Sequence, residues 1–136
     1  TGTNNKVPLT NASGGGSGNG YLNNFVQNLL YIQAVGKDND VTTSTITSYF
    51  FVPNYLANKS IKRMGIGYTG SQPTSSTVQI RNDTTAIVSQ STTSSAIYAE
   101  GDVSGTMPDL GTKLNVYVSA ISGGTPKGLD VWILVG

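Results

Sequence analysis

The chain has 136 residues, a formal net charge of +1, no cysteine and no histidine, and only 11% charged residues, with Ser, Thr, Asn and Gly in their place. That length suits one domain folding on a single core without a staple. The missing cysteines exclude disulfides and thiolate chemistry, and the missing histidines exclude a Ser-His-Asp triad and a His-bearing zinc site. A polar, nearly neutral surface lacks the basic face that a nucleic-acid binder needs, so no nucleic-acid partner is expected. No apolar run of about 18 residues signals a helical membrane span, so no membrane partner is expected either.

In chain order, residues 1–20 read as an extended Gly/Ser/Asn-rich N-terminal arm, and residues 21–136 as the folded domain. In the arm, Lys6, Val7, Pro8 and Leu9 form the one apolar anchor, Pro8 biasing Val7 away from helix. A Gly/Ser linker follows it. The first strand is expected at residues 29–35, where Leu29, Tyr31, Gln33 and Val35 share one face and Leu30, Ile32 and Ala34 the other. Residues 36–40 read as a turn and residues 41–52 as a β-rich run closed by Pro53. After a loop at 54–58, a strand at 60–69 sets Lys62, Met64, Ile66 and Tyr68 on one face. Gly65 and Gly67 lie opposite, where backbone can be closely approached. Further strands are expected at 77–81, 86–88 and 96–99, and a Gly/Pro-punctuated loop at 100–112.

Residues 113–136 read as a β-hairpin. Leu114, Val116, Val118 and Ala120 alternate with polar partners, the period of a strand with one buried face. Residues 122–128, Ser-Gly-Gly-Thr-Pro-Lys-Gly, reverse the chain. The run Leu129 to Val135 is almost continuously apolar, as in a central strand covered on both faces by a second sheet or a neighbouring subunit. Leu129, Val131, Trp132, Ile133 and Leu134 are therefore candidates for a trimer interface. About eight strands at regular turn spacing, with no amphipathic helix, predict an all-β, antiparallel, jelly-roll-like β-sandwich.

Few side chains suggest chemistry. Asp38 and Asp40 form a D-x-D turn, but Thr43 and Tyr49 stand where a calcium loop needs Gly and Glu, so turn chemistry explains them better. Glu100 and Asp102 sit two apart on extended chain and point the same way, rather than facing each other across a bond as in a glycosidase. No catalytic set, metal or cofactor is expected. Asn11, Asn58 and Asn82 each open an N-x-[ST] pattern, which matters only in a secretory pathway that adds glycans. Tyr49, Tyr55, Tyr68, Tyr98 and Trp132 offer faces on which a sugar could stack, although Trp132, between Val131 and Ile133, is expected in the sheet core. Lys59, Lys62 and Arg63 read as a solvated sheet edge.

Four stretches carry a resemblance: Ile66-Gly67-Tyr68-Thr69-Gly70; Val78-Gln79-Ile80-Arg81-Asn82-Asp83; Gly111-Thr112-Lys113-Leu114-Asn115-Val116; and Gly123-Gly124-Thr125-Pro126-Lys127-Gly128-Leu129-Asp130-Val131. Together they resemble the small β-sandwich domains of tailed-bacteriophage virions, which occur as capsid decoration (cement) proteins and as terminal fibre modules, commonly trimeric. The resemblance covers residues 21–136 and implies a viral structural protein on the particle surface. One expectation is a homotrimer that binds the major capsid protein or neighbouring virion subunits through its arm. The alternative is a fibre-tip, lectin-like module that recognises a host glycan.

Overall fold

The structure, a computed structural model, describes residues 28–44 and 46–136. Lys6, Val7, Pro8 and Leu9, and with them the whole arm, lie outside the described residues. The described chain forms eight strands: β1 (Asn28–Asp40), β2 (Ile46–Phe51), β3 (Ser60–Gly67), β4 (Ser75–Asn82), β5 (Thr85–Thr92), β6 (Tyr98–Thr106), β7 (Lys113–Ser122) and β8 (Lys127–Val135). A single 3-10 turn, Asn54–Leu56, interrupts them. No helix among the described residues is long and apolar enough to cross a membrane.

The pairing is nested. β1 pairs with β8, β2 with β7, β3 with β6 and β4 with β5, all antiparallel, as in one long ribbon of two arms. Lateral pairing of β3 with β8 and of β4 with β7 rolls that ribbon into two four-stranded sheets, β1-β8-β3-β6 and β2-β7-β4-β5. This is the jelly roll expected from the sequence.

Alternation decides what the sandwich buries. Leu129, Val131, Ile133 and Val135 of β8 have no exposed surface, and neither do Leu114, Val116 and Val118 of β7, which belong to the opposite sheet. These strands are not the two arms of a hairpin, because each pairs with other strands and they belong to different sheets. The Gly/Pro turn does reverse the chain, but it also carries it between sheets, and composition alone cannot distinguish the two. β8 is nevertheless a central strand, between β1 and β3. Its buried half serves the core of its own chain.

Bulges explain the other departures. β1 runs on to Asp40 through residues with turn composition, because its pairing with β8 slips between Val35 and Asp40 and absorbs the extra residues. In β3 both ladders shift between Ile61 and Arg63, so Ile61 and Met64 are both buried and Lys62 is exposed instead of sharing their face. In β7 the shift opposite Thr77 and Val78 turns Ala120 outward. The expected loop after Ala99 is strand as far as Thr106, in which Tyr98, Glu100 and Asp102 face solvent in alternation. One polar chain is buried between elements: the Tyr68 hydroxyl donates to Ser76 Oγ at 2.7 Å, which is 2.7 Å from Thr92 Oγ1. Its members satisfy one another, as buried hydroxyls must.

Candidate functional site: an aromatic cleft on the outer sheet face

The outer face of the β1-β8-β3-β6 sheet is built in cross-strand rows. Leu134 stands opposite Leu29 and Arg63, Trp132 opposite Tyr31 and Gly65, and Asp130 opposite Gln33 and Gly67. Across β3, Gly65 meets Glu100 and Gly67 meets Tyr98. The two glycines leave a trough in the middle of the sheet, and rings from the neighbouring strands fill it. A Cβ on Gly65 would lie 2.2 Å from the indole nitrogen of Trp132, and one on Gly67 3.1 Å from Cδ1 of Tyr98. Both rings therefore lie against strand backbone.

A hydrogen-bond chain locks them. The Trp132 indole N–H donates to the Tyr98 hydroxyl at 2.9 Å, and that hydroxyl donates to Glu100 Oε1 at 3.0 Å. Arg63 Nε donates to Glu100 Oε2 at 2.8 Å, and Arg63 Nη1 to Asp102 Oδ1 at 2.6 Å. Arg63 holds the Glu100 carboxyl below its ordinary pKa. Burial, more than any neighbour, raises the Tyr98 phenol. The Tyr31 phenol is also raised, chiefly by hydrogen bonding to the Asp130 carboxylate.

Beside these rings opens a cleft of about 330 Å³, lined by Tyr31, Gly67, Tyr68, Thr69, Ile97, Tyr98, Asp130 and Trp132. Tyr31 is 58% exposed and Tyr98 46%, with Trp132 half-buried between them. Asp130 is the one charged residue in the lining. Fixed aromatic faces beside a carboxylate can hold a ligand that has an apolar face and a hydroxylated edge.

The expected site residues divide accordingly. Of the five trimer-interface candidates, Leu129, Val131 and Ile133 are consumed by the core, and only Trp132 and Leu134 reach the outer face. Trp132 is not core, as its neighbours suggested: alternation along β8 turns it outward and Gly65 gives it a bed. Of the aromatic candidates, Tyr98 and Trp132 come together and Tyr68 lines the same cleft, largely buried. Tyr49 and Tyr55 are exposed and do not line it; Lys113 sits over the Tyr49 ring, 4.8 Å from its centroid. Tyr31 and Asp130 are the participants that sequence reasoning missed, although the outward phase of β1 and the register Tyr31 to Trp132 contain them.

Four further candidates have structural partners. Glu100 and Asp102 do point the same way, and one guanidinium takes both. Arg63 is not at a sheet edge, because β3 lies between β8 and β6. Asp40 pairs with Lys127, and the described residues contain no cluster of three metal-ligating side chains.

Fold and face together define a jelly-roll module with a ring-lined cleft outside one sheet. No protein-family model matches the chain, and no curated protein matches it. Among solved structures it is similar to the crystal structure of SPBc2 prophage-derived protein YomS, at 13% identity over 80% of this chain and 95% of that one, with a TM-score of 0.40. A likeness at that level carries no functional argument.

Proposed function

We propose that the chain is a non-enzymatic surface module of a tailed-phage virion, and that it recognises a host glycan through the Trp132 cleft. One observation carries this reading: an indole laid over Gly65 and tied at its nitrogen to Tyr98, beside an exposed Tyr31 and the Asp130 carboxylate. Sugar recognition needs a rigid apolar face and acceptors at its rim, and rings locked before binding lose little entropy on association. The resemblance of residues 21–136 to virion β-sandwich domains, and the low-charge surface, support placement on the particle. A glycan array probed with the full chain tests the reading. Binding to a defined glycan set is expected, with loss in Trp132→Ala; an empty array, or unchanged binding by the variant, overturns it.

A second reading, decoration of the outer shell by a homotrimer, is favoured by a different observation on the same face. Leu29 is 62% exposed opposite the half-buried Leu134, an apolar rim that a neighbouring subunit would cover. In this reading residues 1–20 engage the major capsid protein, with Val7, Pro8 and Leu9 as anchors, and three arms add by avidity. Deleting residues 1–20 should then abolish binding to shells that lack the protein. Undiminished occupancy by the truncated chain would contradict it.

A further inference from the structure

We infer that the cleft selects uncharged sugars and rejects acidic ones, because its lining carries a carboxylate and no cation, and the side-chain donors of Trp132, Tyr98, Tyr68 and Thr69 are already given within the protein. This inference rests on the glycan reading above and names the class of glycan.

Four side-chain donors of the lining are given within the protein. The indole N–H is given to Tyr98, and the Tyr98 hydroxyl to Glu100. The Tyr31 hydroxyl shares the lining with the Asp130 carboxylate. The Thr69 hydroxyl donates to the carbonyl of Lys37, at 3.1 Å, or to that of Lys127, at 3.2 Å. The fourth hydroxyl in the lining, that of Tyr68, is given to Ser76. No lysine or arginine lines the cleft, and Arg63, in the adjacent row, is occupied by two carboxylates.

What faces a ligand is the Asp130 carboxylate, which only accepts, the exposed Tyr31 hydroxyl, and the spare lone pairs of the other hydroxyl oxygens. A pyranose with its apolar face on the indole can donate hydroxyls to that carboxylate and satisfy both partners. A sialate or uronate carboxylate, a sulfate or a phosphate would bring a second negative charge to Asp130, with no cation in the lining to pair it. Such an unpaired, like-charge contact is how a site discriminates against a near-analogue.

Titration calorimetry on the full chain with matched pairs tests this: a glucoside against the glucuronide, a galactoside against the galacturonide, and lactose against sialyllactose. Within the pair that binds, the neutral member should bind more tightly by roughly tenfold or more, the scale of one unfavourable charged contact. Asp130→Asn should weaken the neutral member and narrow the gap, and Trp132→Ala should abolish both. If the acidic member binds as well as the neutral one and still depends on Trp132, the selection is wrong while the glycan reading stands. If neither member of any pair binds, the glycan reading falls and the selection falls with it.

Discussion

At Gly65 and Gly67 the absence of a side chain lets two rings rest on the sheet, so a single methyl group tests how the cleft is made. Gly65→Ala would place a carbon 2.2 Å from the indole nitrogen, and the ring must swing away. Because the ring and not the backbone gives way, the fold should survive with a cost of about 1–2 kcal/mol, read as a lower melting temperature with altered Trp132 emission. Unchanged emission would mean that the indole does not lie there. Glu100 gives a pH signature. Its pKa is depressed by Arg63, so its contribution is full above the ordinary glutamate value of about 4.3 and is lost as pH falls through the lower folded value. Wild-type Trp132 emission should therefore change on an acid limb below that pH, and Glu100→Gln should lack the limb. Asp40 is ion-paired with Lys127, and no three metal-ligating side chains cluster among the described residues, so melts with and without a strong chelator should coincide; a drop of several degrees would expose a metal site.

At the scale of elements, β8 carries a test in two adjacent residues. Ile133 is fully buried between the sheets, and Ile133→Ala should cost about 2–5 kcal/mol, whereas Leu134→Ala on the outer face should cost under about 1 kcal/mol in an isolated chain. Denaturant melts read the difference directly, and equal costs would mean that the strand is covered on both faces. Period-two patterning made β7 legible, because its inner face is strictly apolar from Leu114 to Val118. It could not show that β8 crosses to the other sheet, since a Gly/Pro reversal has the same composition in a hairpin and in a crossover. β6 was legible only at Tyr98 and Ala99, for a different reason: Glu100 and Asp102 carry no hydrophobic period, and the rest of the strand is recognised only through its ladder to β3 and the grip of Arg63. Tyr31 was unreadable as a site residue because its partner Trp132 is about a hundred positions away, and only register joins them.

For the molecule as a whole, the sandwich and the cleft are separable claims from the arm and the oligomer. A trimer at micromolar concentration should appear by mass measurement and weaken in Leu29→Lys, which places a charge in the apolar rim beside Leu134; a wild-type monomer would remove the decoration reading's geometry. Removing residues 1–20 should leave the melting temperature of the sandwich nearly unchanged, because the described strands form a contiguous apolar core between the two sheets. The proposed function rests on the cleft, and the chain contains its own reporter there, since Trp132 is its one tryptophan. Titrating the full chain with a glycan that it binds, while following tryptophan emission and acrylamide quenching, puts the cleft itself to the test. A saturable emission change is expected at the same midpoint as calorimetric binding, with the indole shielded from quencher in the complex; saturable binding that leaves Trp132 emission and quenching untouched would rule the cleft out as the binding site.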